Sequence, residues 1–174
     1  PLTGWVLYAS MGVDAADFWA QYDHMYIPEL GHNVSVTDYA HTLYIRASWT
    51  DFNPQEDVYG WKIDSNLRAY IEGAYLRNMR LAFRVVVDSR DKRTEFTPQF
   101  VKDAGAKGFM NKGKWSPYSD DPVFQKYYTK FVKALAKDFN DPSKVEFIDG
   151  FGLGKWGEYH TMIYSTGDDT PKKA

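Results

Sequence analysis

The sequence predicts an α/β fold in which the strands form a parallel sheet, and three observations lead to this prediction. Short apolar runs alternate with segments of helical periodicity, which is the pattern of repeated strand and helix units. The apolar runs are almost uninterrupted, as in strands that are covered on both faces. Successive strands joined by right-handed crossovers through helices form a parallel sheet. The four predicted strands begin near residues 5, 42, 81 and 145.

The first strand and helix occupy the N-terminal part of the chain. A buried strand is expected over residues 5–9, between Gly4 and Gly12. Asp14 is the expected N-cap of the first helix, and Pro28 ends this helix. The apolar face of the helix consists of residues at helical spacing: Phe18, Trp19, Tyr22, Met25 and Tyr26.

The later units repeat this order after a second strand, which is expected over residues 42–45. A second helix is expected over residues 64–78, with Asp64 as its N-cap, and a strand over residues 81–87 follows it directly. The third helix begins at Asp121, which a proline follows in the first turn. Residues 96–120, between the third strand and this helix, are expected to form a long loop without regular structure.

The spacing of the units favours one half of a (β/α)₈ barrel, with a doubly wound open sheet as the alternative. A complete barrel takes about 250 residues, and four units would leave the first and fourth strands as long apolar edges. Residues 1–164 are therefore interpreted as the N-terminal half of a barrel, and residues 165–174 as a flexible tail. The other half is expected beyond Ala174, in another chain or in a second copy of this chain.

The composition argues against several classes of protein. Lysine and arginine total 21 against 23 acidic residues, a balance that argues against nucleic acid as the main partner. The absence of cysteine excludes disulfides and thiolate chemistry, and no apolar run reaches the ~20 residues of a membrane helix. Aromatic residues make up 17% of the chain, and this many rings suit a ligand such as a sugar, which binds to flat, amphipathic walls.

A first group of candidate site residues follows the second strand. Arg46 and Trp49 stand at the carboxyl end of this strand, where a barrel lines its active site. Residues of this kind can bind a substrate at the mouth of the barrel. The alternative is a packed loop in which Arg46 forms a salt bridge.

This stretch resembles the strand-two region of clan A (β/α)₈ glycoside hydrolases and of related bacterial glycosidase-like proteins. The resemblance rests on the following residues: Trp49, Pro54, Glu56, the Tyr-x-Trp sequence of residues 59–61, and Asp64 at the start of the helix. The order of all four strands also agrees, so the resemblance covers most of residues 1–164. It implies a catalytic barrel that hydrolyses O-glycosidic bonds of a carbohydrate, with a retaining outcome and without a cofactor.

An arginine inside the third strand points to a second group of candidates. Arg84 lies among Val and Phe residues, and Asp88 stands at the tip of the strand. A cation in this position is not buried without an anionic partner. Arg84 either pairs structurally with Asp149 or Glu146, or points into the barrel mouth toward a carboxylate. Asp88, at the carboxyl end, is placed to contact a ligand.

The glycine-rich segment after the fourth strand presents the main catalytic candidates. Residues 152–157 match the dinucleotide fingerprint G-x-G-x-x-G. Glu158 would then face the pyrophosphate, which a helix N-terminus should attract, so an NAD-dependent oxidoreductase is only a third possibility. The segment is instead interpreted as a loop that presents Trp156, Glu158 and His160 at the barrel mouth.

The resemblance implies that Glu158 is the general acid/base, because clan A enzymes place this glutamate just after strand four. Here Gly157 replaces the asparagine that usually precedes it, and His160 is the alternative contact to the 2-hydroxyl of the sugar. Asp149, at the strand tip, is the rival for the acid role. Glycoside cleavage needs a protonated carboxylic acid and a second carboxylate, ~5–5.5 Å apart in retaining enzymes. The nucleophile is expected after strand seven, in the missing half.

The last candidates lie in the long loop. Trp115 and Tyr118 either form a platform for sugar stacking or pack over the barrel rim. The four histidines show no metal-binding spacing, so neither a metal nor a cofactor is expected. The alternative to the hydrolase is a non-catalytic carbohydrate-binding barrel. The expected partners are a carbohydrate and the other half of the barrel, with no nucleic acid and no membrane, in a secreted or periplasmic location.

Overall fold

The structure is a computed structural model that describes residues 4–88, 95–111, 113–150 and Glu158. These residues contain eight strands and six α-helices. In chain order the elements are β1 (Trp5–Tyr8), α1 (Ala15–Asp23), β2 (Met25–Ile27), β3 (His32–Val34), β4 (Ala40–Ser48), α2 (Trp49–Phe52), α3 (Gly60–Ile63), α4 (Ser65–Leu76), β5 (Arg80–Val86), α5 (Gln99–Asp103), β6 (Gly108–Asn111), β7 (Lys114–Pro117), α6 (Pro122–Phe139) and β8 (Val145–Ile148).

Four strands form one parallel sheet, in the order β1-β4-β5-β8. Among these four, each strand lies beside the one that precedes it in the chain, so the order contains no reversal. Tyr8 of β1 stands opposite Tyr44 of β4, and Ala82 of β5 stands opposite Phe147 of β8. The predicted α/β fold with a parallel sheet is therefore confirmed.

Aspartate N-caps begin the three longest helices of the described chain at the predicted residues. A side-chain oxygen of Asp14, Asp64 and Asp121 accepts hydrogen bonds from backbone N–H groups in the first turns of α1, α4 and α6. These bonds satisfy donors that have no partner inside the helix. The predicted helix starts are confirmed, and α6 has the expected proline in its first turn.

The predicted end of the first helix is wrong. α1 ends at Asp23, although Met25 and Tyr26 continue the helical spacing. These two residues belong to β2, which pairs antiparallel with β3. A periodicity over so few residues fits a helix or a strand equally well, and the backbone hydrogen bonds with β3 decide for the strand.

The stretch over residues 96–120 is not the unstructured loop that the sequence predicts. It contains α5 and an antiparallel hairpin of β6 and β7. Gly113 adopts φ +76° beside the hairpin turn, a conformation that favours glycine. Gly108 is equally constrained, because a Cβ there would lie 2.2 Å from the carbonyl oxygen of Ser116.

The chain folds into two compact units, each with its own apolar core. Unit 1 comprises Pro1–Arg46, Trp61–Phe83 and Asp141–Ile148, and unit 2 comprises Ala47–Gly60, Arg84–Asn140 and Asp149–Ala174. The buried core of unit 1 draws on both its strands and its helices: Leu7, Phe18, Leu43, Ile45, Leu67, Tyr70, Leu81 and Phe83.

In unit 1, helices α1 and α4 pack closely because a glycine faces a tryptophan. The indole N–H of Trp19 donates a hydrogen bond to the carbonyl oxygen of Ala69 at 3.3 Å. Phe18 contacts Tyr70, with the ring centroids 4.9 Å apart. A Cβ at Gly73 would lie only 2.1 Å from Nε1 of Trp19, so the close approach of the helices depends on Gly73.

In unit 2, Trp49 is the centre of an aromatic cluster and none of it is exposed. Four rings surround it at centroid distances of 5.2–6.4 Å: Phe100, Phe124, Tyr128 and Phe131. Burial raises the pKa of Tyr128 to about 12, so this phenol remains neutral at physiological pH. The cluster fixes the end of β4 against α5 and α6.

Substitution of Gly73 by alanine tests the packing of α1 on α4. Overpacking typically costs about 1–3 kcal/mol, and the better helix propensity of alanine offsets about 1 kcal/mol. We expect Gly73→Ala to lower the free energy of unfolding by up to about 2 kcal/mol in denaturant titrations. Gly12→Ala is the control, because nothing lies within 4 Å of a Cβ at Gly12. Equal effects of the two substitutions would contradict this packing.

Asp23 and Arg77 form a two-pronged ion pair in unit 1, in which Nε of Arg77 donates to Oδ1 of Asp23 at 2.7 Å and Nη2 donates to Oδ2. These hydrogen bonds hold the pKa of Asp23 below its ordinary value. Because the pKa of Asp23 is lower in the folded than in the unfolded state, the pair stabilises the protein at every pH above the unfolded-state pKa. This stabilisation is lost as the pH falls through the folded-state pKa.

The pair predicts a pH-dependent effect of Asp23→Asn. At pH 7 we expect the substitution to lower the free energy of unfolding by up to about 1 kcal/mol. The difference from the native protein should shrink as the pH falls below about 4, where the aspartate becomes protonated. Denaturant titrations at a series of pH values measure this difference, and a difference that is constant with pH would refute the assignment.

Candidate functional site

Three charged side chains meet in unit 2, and we call them the Arg84 cluster: Arg84, Asp149 and Glu158. Arg84 lies on β5, and Asp149 directly follows the last residue of β8. Nε of Arg84 donates to Oδ2 of Asp149 at 2.6 Å, and Nη1 donates to Oε1 of Glu158 at 2.8 Å. One guanidinium thus binds both of the carboxylates for which the sequence predicts a catalytic role.

The register of the sheet accounts for the position of Asp149. Phe83 of β5 stands opposite Ile148 of β8, so the next residue of each strand, Arg84 and Asp149, lies at the same level. In a parallel sheet, the carboxyl ends of neighbouring strands share one edge. The pairing of β5 with β8 alone therefore places the carboxylate of Asp149 beside the guanidinium of Arg84.

The two structural partners expected for Arg84 are Asp149 and Glu146. The structure confirms the pair with Asp149, and Glu146 binds Arg80 instead. The side chain of Arg84 is only 21% exposed, and a cation with so little water around it needs anions to offset its desolvation. Glu158 is the second anion. This contact joins residues 74 positions apart, and sequence reasoning missed it.

Asp88 makes a structural contact in unit 2. It follows β5 and is 5% exposed. Oγ of Ser116 donates to Oδ1 of Asp88 at 3.0 Å, which ties the hairpin of β6 and β7 to the end of β5. A second hydrogen bond, from Oγ1 of Thr97 to the carbonyl oxygen of Val87 at 2.9 Å, connects the residues before α5 to the end of β5. The ligand contact expected at Asp88 stays a prediction.

Two of the predicted sugar-binding tryptophans have core positions. Trp49 is fully buried, and Trp115 is 6% exposed, with the ammonium of Lys102 5.6 Å from its ring centroid. For both residues, the packing alternative left open by the sequence agrees with the structure. A ring without an exposed face cannot stack on a sugar, so we leave these two tryptophans out of the proposed site.

Of the other predicted substrate contacts, two lie in the described residues and two lie outside them. Arg46 is half-buried on β4 in unit 1. Tyr118 is half-buried in unit 2, where its ring lies against Phe109 at a centroid distance of 5.7 Å, and it lines a groove of about 380 Å³. Trp156 and His160 lie outside the described residues, as does the tail at 165–174.

Within the described residues, no group of three or more histidine, aspartate or glutamate side chains is arranged to hold a metal ion. The same part of the chain contains no helix that is both long and apolar enough to cross a bilayer. No protein-family model matches the chain, and no curated protein gives a significant match. The proposal for its function therefore depends on the residues and geometry described above.

A double-mutant cycle measures the pair of Arg84 and Asp149. We expect Arg84→Gln and Asp149→Asn, made singly and together, to give a coupling energy of about 0.5–3 kcal/mol in the free energy of unfolding. Asp149 is preferred to Glu158 here because its side chain is 26% exposed, against 40%, and is screened less by solvent.

The control for this cycle combines Arg84→Gln with Asp103→Asn. Asp103 belongs to α5 and binds Gln99, so the control makes the same change of charge outside the cluster. The control cycle should show no coupling. Equal coupling energies in the two cycles would show that Arg84 responds to net charge and not to the ion pair.

Proposed function

We propose that this protein is a glycoside hydrolase that cleaves O-glycosidic bonds of a carbohydrate, with Glu158 as its general acid/base. The observation that carries the proposal is the Arg84 cluster, in which Asp149 and Glu158 meet on one guanidinium. The cluster stands where β5 and β8 run toward their carboxyl ends, the end at which barrel enzymes bind substrate. Glycoside cleavage requires two carboxyl groups; in this proposal the cluster supplies Glu158, and the other half of the barrel supplies the second.

The parallel sheet is, in this proposal, half of a (β/α)₈ barrel that residues 1–164 contribute. The strand order supports it, because β1-β4-β5-β8 follows the chain without reversal, whereas a doubly wound sheet reverses its order. The outer strands also expose large apolar side chains, with Trp5 77% and Ile148 42% exposed. Soluble proteins cover such edges, so further β/α units are expected beside β1 and β8, from the same or a second chain.

Glu158 would protonate the departing oxygen and then accept a proton from the attacking water, while a carboxylate of the other half acts as nucleophile. A proton donor must carry a proton, whereas an ion pair with Arg84 binds the ionised carboxylate. Binding of substrate therefore has to separate Glu158 from Arg84. Asp149 remains on the guanidinium and offsets its charge during this exchange.

The proposed contacts to the substrate are the remaining residues that the sequence assigns to binding: Arg46, Asp88, Tyr118, Trp156 and His160. Polar groups among them can bond sugar hydroxyls, and an exposed ring can lie against the apolar face of a pyranose. The resemblance to clan A enzymes further suggests a retaining outcome and a secreted or periplasmic location. These assignments belong to the proposal and depend on the catalytic role of Glu158.

A non-catalytic carbohydrate-binding protein is the second candidate, and one observation favours it. Arg84 occupies one oxygen of each carboxylate, so the cluster can serve the stability of the sheet edge alone. Under this alternative, a protein with an intact Arg84 cluster would bind sugars but cleave no glycoside. Turnover of aryl glycosides by the native protein decides between the two candidates.

Glu158→Gln tests the proposed role in the protein that carries the complete barrel. Loss of a general acid/base lowers kcat by about 10²–10⁴-fold. The loss should be larger for phenyl glycosides than for 2,4-dinitrophenyl glycosides, because a good leaving group needs less protonation. The measurement is the release of the phenol from both substrates by the native protein and the variant.

Glu72→Gln serves as the control, because Glu72 lies on α4 and its side chain is 62% exposed. It removes the same charge from a position in unit 1 and should leave turnover unchanged. If Glu158→Gln retained native rates on the phenyl glycosides, Glu158 would have no part in the chemistry. A uniform loss on both substrates would assign it a binding role only.

A further inference from the structure

Unit 2 contains a groove of about 380 Å³ that includes Tyr118, one of the proposed substrate contacts, but neither carboxylate of the Arg84 cluster. Its walls come from two segments, around Gly105 and Lys107 on one side and Tyr118–Val123 on the other. Backbone hydrogen bonds fix these segments to each other, since the N–H of Tyr118 donates to the carbonyl oxygen of Lys107 at 3.0 Å. The volume lies within the range of about 300–1,000 Å³ that is typical of small-ligand pockets.

The groove contains a carboxylate with an unused oxygen. Asp121 is 6% exposed and caps α6, and its Oδ1 accepts hydrogen bonds from the N–H groups of Val123 and Phe124 at 3.0 and 2.8 Å. Its Oδ2 has no hydrogen-bond partner in the part of the chain that the structure describes. A carboxylate that has lost most of its water is stabilised by a further donor. Because Asp121 lines the groove, a bound ligand can supply this donor.

The aromatic side chain of the groove is Tyr118. Its ring lies against Phe109 at a centroid distance of 5.7 Å and an interplanar angle of 32°, so Phe109 supports it from within unit 2. The carbonyl oxygen of Tyr118 accepts from the N–H of Asp121 at 3.2 Å, which fixes the turn that carries both of these groove residues. An aromatic ring and a hydrogen-bond acceptor in one groove match a pyranose, which has an apolar C–H face and a rim of hydroxyl donors.

The charges of the groove select among sugars. Lys107 contributes one positive charge, and Asp120 and Asp121 contribute two negative ones. A ligand that carries carboxylates would meet an excess of like charge, which disfavours uronic acid polymers. A neutral sugar donates a hydroxyl group to Asp121 without this repulsion.

We propose that the groove between Lys107 and Tyr118–Val123 is a carbohydrate-binding site for a neutral pyranose unit of a polysaccharide, separate from the Arg84 cluster. The choice of a polysaccharide as ligand rests on the proposed glycoside hydrolase function. The site binds the polymer and takes no part in bond cleavage. Oδ2 of Asp121 accepts a sugar hydroxyl, and the ring of Tyr118 supports the sugar face.

Affinity gels test this site in the complete protein. The Glu158→Gln variant is run in native gels that contain barley β-glucan, xylan or galactomannan, and its mobility is compared with that in a plain gel and in a gel with polygalacturonate. The decisive addition is Asp121→Asn, because asparagine also caps helices but replaces the free oxygen by an amide donor. Asp103→Asn makes the same change of charge at a residue that does not line the groove.

The expected result is slower migration of Glu158→Gln in at least one neutral polysaccharide and none in polygalacturonate. Addition of Asp121→Asn should weaken this binding about 10- to 100-fold, and Asp103→Asn should leave it unchanged. If Asp121→Asn lowers the melting temperature, Tyr118→Leu replaces it, with the same expected loss of binding.

The proposal is overturned if no neutral polysaccharide slows the protein, or if Asp121→Asn migrates like Asp103→Asn in every gel. These outcomes are independent of catalysis, because all variants carry Glu158→Gln. A failure of the proposed hydrolase function would instead appear as absent turnover of aryl glycosides by the native protein, whatever the gels show.

Discussion

The guanidinium of Arg84 inside an apolar parallel strand is the constraint on which the rest of the site depends. Its neighbours on β5 are buried apolar residues. The guanidinium is therefore largely desolvated, and its side chain is only 21% exposed. Anions must therefore stand at the same level of the sheet. The register of β5 and β8 places Asp149 at this level. Glu158, nine residues further along the chain, forms the second ion pair with Arg84. The stability of this sheet edge thus brings together the two carboxylates on which the proposed function depends.

The aromatic content of the chain serves packing more than ligand binding. The ring of Trp19 on α1 packs against α4 at Gly73, which has no side chain to block it. Trp49 is enclosed by four other rings. A high aromatic fraction is therefore weak evidence for a sugar ligand when taken alone. The proposed sugar site at Tyr118 therefore rests on more than the ring, because Asp121 lines the same groove.

Local signals in the sequence predicted most of the sheet and the starts of the long helices. Asp14, Asp64 and Asp121 cap where expected because an N-cap depends on residues within one helical turn. The hairpin of β2 and β3 was not predictable from Met25 and Tyr26, since their spacing fits a helix and only pairing with another segment decides. The contact of Glu158 with Arg84 and the free oxygen of Asp121 depend on packing between distant segments, which periodicity does not report.

A crystal structure of the complete Glu158→Gln protein, with an oligosaccharide that the native protein cleaves, tests the central claim most directly. The account predicts that a glycosidic oxygen lies within hydrogen-bond distance of the amide at position 158, while Arg84 stays bound to Asp149. A sugar bound elsewhere, with residue 158 turned away from it, would contradict the account.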